Sequence, residues 1–182
     1  MNKLYTLLTI MLAATTLSAQ SPNYVDFEWD IFKFGYVIPT SGDNDGGLTF
    51  GGEVRYNATD NFSIGLAFNG AVFGTDFGDN VDLGVSGSSL MVGDYYLKTD
   101  SSTRPFVGLG LGLYSSGTLT IRNGNSEEVI DGSSGFGFAP RAGYEFGHVR
   151  LQGQYNLALD EAQPDYLELT LAFTLWGGYN GN

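Results

Sequence analysis

His148 is the only histidine of the chain, and imidazole is the side chain best suited to moving protons near neutral pH. Set beside a serine it would activate a nucleophile for acyl transfer. Its surroundings point elsewhere: Phe146-Gly147-His148-Val149 reads as a two-residue hairpin turn with glycine at its first central position, the type II′ pattern. No serine is placed against it, so no catalytic residue is assigned. Asp43-Asn44-Asp45-Gly46 resembles the opening of a calcium loop, but the later ligands and the closing glutamate are missing. It reads as a solvated acidic rim, with a weak divalent-cation site as the alternative, and no metal ligand or cofactor site is assigned.

The third group is larger. Lys33, Glu53, Arg55, Asp94, Lys98, Arg141, Glu145, Arg150 and Glu168 all fall on one parity of a two-residue alternation. They comprise five bases and four acids, and near balance implies mutual pairing, because an unpaired charge away from water is expensive. Two roles fit them. They form an ion pathway, or they are a hydrogen-bonded plug filling a narrow interior; the plug is the expectation taken here.

The elements that must position these residues are strands. In Tyr166-Leu-Glu-Leu-Thr-Leu-Ala-Phe-Thr-Leu-Trp176, Leu167, Leu169, Leu171, Phe173 and Leu175 point one way and Glu168, Thr170, Ala172 and Thr174 the other, as side chains of a strand must. Comparable segments run over 26–38, 48–57, 62–73, 89–98, 105–115, 136–146, 149–159 and 166–176, with no sustained helical period between them. In 89–98 both parities hold apolar residues, and Asp94 and Lys98 decide its polar face. Pro140 lies inside the sixth segment, where it lacks a ladder donor, and is read as a bulge.

The connections alternate in length. Those at 39–47, 74–88, 116–135 and 160–165 include the long ones, whereas 58–61, 99–104 and 147–148 are short, the pattern of an up-and-down barrel with short periplasmic turns and longer outer loops. One hairpin tests the register: a two-residue turn at Gly147-His148 pairs Phe146 with Val149 and Glu145 with Arg150, apolar with apolar and acid with base. Asn123-Gly124 is a hairpin signal inside loop 116–135; the loop either extends its flanking strands or is irregular.

Bulk properties bound the rest. Lys3, the apolar run Leu4–Ala14 and Ser18-Ala19-Gln20 read as an export signal over 1–19, leaving 163 of the 182 residues (182 − 19) as one domain over 20–182. Cysteine is absent, which removes disulfides and a lipid anchor on Cys. The net charge of −12 excludes a phosphate-neutralising stripe, so nucleic acid is not a partner. Of the 20 acids, Asp43, Asp45, Asp76, Asp79, Asp82, Glu127, Glu128, Asp131, Asp160, Glu161 and Asp165 stand in the expected outer loops, with Arg122 the sole base among them.

Alternation alone leaves open whether the apolar face is inside, as in a secreted soluble barrel for an apolar ligand, or outside against lipid. An eight-stranded barrel is just wide enough for its own side chains, and the Phe, Leu and Tyr residues of the apolar face would overfill it. Gly108, Gly110 and Gly112 line the polar face, where missing side chains leave room for Arg and Gln. Trp29, Phe73, Phe106, Tyr114, Tyr166 and Trp176 gather at strand ends, as interfacial girdles require. The expectation is therefore an all-β, eight-stranded antiparallel up-and-down transmembrane β-barrel.

Arg104-Pro-Phe-Val-Gly-Leu-Gly-Leu-Gly-Leu-Tyr114, Phe138-Ala-Pro-Arg-Ala-Gly-Tyr-Glu-Phe146 and the closing alternating strand resemble the small outer-membrane β-barrel proteins, OmpX-like and OmpA-barrel-like. The resemblance covers nearly all of the chain after the signal. It implies the cell outer membrane, contact with outer-membrane lipid and lipopolysaccharide, a monomer, and a surface partner at loops 74–88 and 116–135, without enzymatic activity or a cofactor; a narrow passive channel is the alternative. Family members commonly end on an aromatic residue read by the assembly machinery, whereas this chain continues past Trp176 as Gly-Gly-Tyr-Asn-Gly-Asn.

Overall fold

A computed structural model describes residues 23–40, 45–77, 80–122, 125–127, 132–160 and 164–179. The expected signal over 1–19 lies outside the described residues, as do Asp43 and Asn44. The strands are β1 (Phe27–Pro39), β2 (Gly47–Thr59), β3 (Phe62–Phe77), β4 (Asn80–Tyr96), β5 (Thr103–Arg122), β6 (Asn125–Glu127), β7 (Ser133–Phe146), β8 (Val149–Ala158) and β9 (Tyr166–Trp176). Eight of them form the barrel wall; β6 is a short return paired with the tip of β5.

Neighbouring wall strands are antiparallel, and β1 pairs with β9, for example Phe34↔Leu171, which closes the sheet on itself. Closure removes the free edges that an open sheet would expose. The alternation sets the faces as expected: Phe32, Phe50, Phe68, Leu113 and Leu175 are exposed on the outer wall, while Glu53, Arg55, Gln154 and Glu168 are buried inside. A soluble barrel with an apolar interior is thereby excluded, since its bulky side chains would lie within.

The hairpin at Gly147-His148 has the expected register, Phe146↔Val149 and Glu145↔Arg150, and Gly147 adopts φ 60°, the left-handed region that glycine enters without steric cost. Pro140 is not a bulge. Phe138↔Leu157 and Arg141↔Gln154 share one register on either side of it, and Pro140 itself stands opposite Leu109 of β5.

Loop 74–88 is not an irregular loop. Pairing of β3 with β4 continues to Phe77↔Val81, with a register shift between Gly74 and Asp76. Within loop 116–135, β5 runs to Arg122 and pairs there with Asn125 of β6; Asn123-Gly124 and 128–131 lie outside the described residues. Polar strands resemble loops in sequence because above the hydrocarbon layer nothing demands an apolar face, so the alternation fades while the backbone ladder persists.

β1 carries an irregularity that matters for the interior. Its register with β2 shifts between Asp30 and Lys33, and its register with β9 shifts on either side of Asp30. Ile31 and Phe32 both face outward there, so the inward parity is even before the bulge and odd after it.

Candidate functional site: the charge-filled interior

Arginine guanidiniums hold together the half of the interior nearest the short turns. Arg141, on β7, grips two carboxylates: its Nε and Nη2 donate to the two oxygens of Asp94 at 2.7 and 2.7 Å, and its Nη1 and Nη2 donate to Glu53 at 2.8 and 2.8 Å. Such forks are the geometry in which a planar guanidinium is best matched. Arg150, one strand over, donates to Asp94 at 2.5 Å and to Glu145, and lies 3.7 Å over the Phe106 ring.

Arg55 of β2 donates to Asp30 at 2.6 Å and to Glu28 at 2.8 Å, and reaches Glu145 at 3.1 Å. Arg104 donates to Glu28 and Glu145, each at 2.6 Å, while its guanidinium is sandwiched between Tyr24 at 3.8 Å and Tyr96 at 3.7 Å. Higher up, Lys33 pairs with Glu168 at 3.0 Å and donates to Asn69 at 2.9 Å. Amides link the layers, from Arg150 through Gln152, Gln154 and Asn156 to Glu168.

Eight of the nine residues expected inside the barrel are buried there. Lys98 is the correction. Its parity is inward, but the ladder of β4 ends at Tyr96, and Lys98 lies exposed in the following turn with its Nζ 3.7 Å from Asp100. Three members escaped the sequence reading: Glu28, Asp30 and Arg104. Glu28 and Asp30 were hidden by the β1 bulge, which reverses the parity set by Lys33. Arg104 shares the parity of Gly108, Gly110 and Gly112, one residue before the expected strand start, so that signal was present. The buried charges among the described residues are therefore five bases (Lys33, Arg55, Arg104, Arg141, Arg150) and six acids (Glu28, Asp30, Glu53, Asp94, Glu145, Glu168).

Glycine makes the arginine layer possible. A Cβ on Gly108 would fall 2.0 Å from Asp94 Oδ1, in the carboxylate that both Arg141 and Arg150 use. The opposite end of the interior is apolar: Val37, Ala71, Phe73 and Tyr166 pack together, with the Phe73 and Tyr166 rings 5.4 Å apart. Phe73, Phe106, Tyr114 and Tyr166 are thus interior residues rather than girdle residues, whereas Trp29 and Trp176 face outward.

The segments flanking β1 and β9 meet at the mouth that carries the short turns. Tyr24 forms a β-bridge with Tyr179, and Val25 N–H donates to Gly178 O at 3.1 Å. Tyr24 Oη donates to Ser101 O at 2.5 Å, and Asn23 Nδ2 donates to Asp60 at 2.7 Å. The extension past Trp176 therefore turns back under the barrel. Gly177 (φ 123°) makes that turn against Glu28, whose Cγ would lie 2.5 Å from an added Cβ. Burial pushes the Tyr24 hydroxyl up to about 12, with Arg104 pulling the other way. His148 stands in the neighbouring turn, exposed, its Nδ1 3.1 Å from Thr174 O.

Closed antiparallel topology, an apolar outer wall and a polar packed interior define a small transmembrane barrel of the outer-membrane class. Residues 4–178 match the outer membrane protein beta-barrel domain, and the chain belongs to that family and to the cell outer membrane. No curated protein matches it. Among solved structures it is similar to the attachment invasion locus protein Ail of Yersinia pestis, at 14% identity and TM-score 0.54, covering 86% of this chain and 97% of that one. The Ail structure in complex with the heparin analogue sucrose octasulfate aligns at 15% identity and TM-score 0.52, covering 86% and 97%. Neisserial surface protein A aligns at 12% identity and TM-score 0.55, covering 87% and 99%. These likenesses establish the fold.

Proposed function

We propose that this protein is a non-enzymatic, non-conducting outer-membrane barrel whose role is exercised at the cell surface by the hairpins β3–β4 and β5–β6. The observation that supports this reading is the filled interior: eleven buried charges in direct pairs, an apolar cluster toward the outer end and Tyr24 reaching from the flank of β1 to Ser101 in the β4–β5 turn at the other mouth. Ions crossing the lumen would have to break several buried pairs at once, each costly to separate. Planar-bilayer recordings of the reconstituted protein test it: the expectation is no stable channel, and large, long-lived openings would sink it.

Strand length supports the surface role. A tilted transmembrane strand needs about 9–11 residues, which β8 and β9 match at 10 and 11, whereas β4 and β5 have 17 and 20. The excess rises beyond the hydrocarbon layer on one side of the barrel. The partner chemistry follows from charge. One similar barrel was crystallised with a sulfated sugar, but the outer segments of this chain hold eleven acids and only Arg122 as a base. Polyanions are therefore disfavoured, and a neutral or basic partner fits. Lipid and lipopolysaccharide surround the wall of a monomeric barrel in this reading, and 1–19 is the export signal.

A further inference from the structure

The seam between β1 and β9 is regular from Phe32↔Phe173 to Pro39↔Tyr166, and below that its register shifts on both sides of Asp30. The β1–β2 ladder also shifts, between Asp30 and Lys33. Among the described residues this is the one stretch of wall whose pairing slips against both neighbours. Beneath the regular ladder the seam is joined by Asp30↔Thr174 and Trp29↔Trp176. Glu28 and Asp30, at this level of β1, supply carboxylates to Arg55 and Arg104. A bulge leaves residues unpaired, and a short run of pairs at a strand end opens at low free energy. An irregular join therefore carries part of the ion-pair network.

Beyond it the flanking segments meet again. Tyr24 bridges to Tyr179, their rings stand 5.6 Å apart edge to face, and Val25 N–H donates to Gly178 O at 3.1 Å. The flanks are also anchored at the short turns. Asn23 donates through its backbone N–H and its Nδ2 to the two carboxylate oxygens of Asp60, at 3.2 and 2.7 Å. Tyr24 Oη donates to Ser101 O at 2.5 Å, and a Cβ built on Gly178 would stand 3.5 Å from the His148 ring. The two flanks thus reach the turns 58–61, 99–104 and 147–148. We propose that residues 23–25 and 177–179 form a clasp that holds the irregular end of the seam shut. When the clasp is undone, the folded barrel opens there and not in the regular ladder above. Opening at that end brings Glu28 and Asp30 to water at the mouth, and leaves Lys33 with Glu168 and the forks of Arg141 in place. The inference depends neither on the surface role nor on whether the barrel conducts.

The chain has no cysteine, so the pair Tyr24→Cys and Tyr179→Cys places a single redox-controlled link at the clasp. Opposed residues of an antiparallel pair have Cα atoms about 4.5–5.5 Å apart, a separation that a disulfide spans. Hydrogen–deuterium exchange of the reconstituted protein is read in peptides over 23–30 and 174–179, with peptides over 33–39 and 166–172 as the internal reference. In the reduced form the first pair should exchange about tenfold faster than in the wild type, as expected when a local opening no longer breaks a ring contact and its hydrogen bond. In the oxidised form it should return to the wild-type rate or below. The reference peptides should stay unchanged in both forms. Tyr179→Ala, which spares the contacts of Tyr24 with Ser101 and Arg104, should reproduce the reduced pattern. Heat-modifiable gel migration checks that each variant is folded. Failure of the disulfide to form in the folded protein would show the flanks unpaired and overturn the clasp. So would equal exchange in the two redox states, or a change spread evenly over all the wall strands.

Discussion

At the scale of single residues, the interior stands or falls on geometry. Arg141 satisfies Asp94 and Glu53 at once, so Arg141→Ala would leave two carboxylates buried without their principal partner. Breaking such a pair costs on the order of 3–5 kcal/mol, and urea unfolding followed by gel migration should register a loss of that size. Lys98→Ala should change stability by no more than about 0.5 kcal/mol, as for a surface position; a large loss would restore Lys98 to the interior. Gly108→Ala should approach the Arg141→Ala effect despite adding one methyl group, since that methyl enters the space of the Asp94 carboxylate. Most of these residues were legible in the sequence because parity and charge agree. Glu28 and Asp30 were not, because a bulge is a backbone event that two-residue counting cannot register.

Among the elements, the chain ends are the least expected. Past Trp176, nothing in Gly-Gly-Tyr marks the segment as structural. Its meaning comes from Tyr24, 155 residues earlier (179 − 24), a partner no local pattern identifies. Burial pushes the Tyr24 hydroxyl from its ordinary value of 10.0 up to about 12. The folded state therefore holds that proton more tightly than the unfolded state does. The resulting stabilisation is complete below about pH 10 and is lost as pH rises toward about 12. Unfolding midpoints of the wild type and Tyr24→Phe should accordingly converge across that window; a constant difference would argue against it. The wall strands, by contrast, were legible nearly to the residue, except where β3, β4 and β5 leave the lipid and polar alternation resembles loop.

For the whole molecule, the decisive legible fact was volume. Eight strands cannot enclose the Phe and Leu residues of the apolar face, and with the glycine stripe at Gly108, Gly110 and Gly112 this sets the apolar face outward. The electrostatic division follows from it. Six acids and five bases are buried among the described residues, and the rest of the full sequence holds 14 acids (20 − 6) and three bases (8 − 5), one of them Lys3 in the expected signal. A heparin column should fail to retain the folded protein at low salt, while a cationic resin should hold it strongly; retention on heparin would contradict the partner chemistry proposed for the outer hairpins.

The distances along the chain between interior partners bear on how such a barrel is made. Arg104 meets Glu28 across 76 residues, and Thr174 meets Asp30 across 144. An array of the first seven wall strands would leave Asp30 with Arg55 but without Thr174, and Lys33 without its carboxylate partner Glu168, an unpaired charge that is costly away from water. Completion of the ionic interior thus waits for the last strand to meet the first, and the contacts that fill the barrel are also contacts that join its seam.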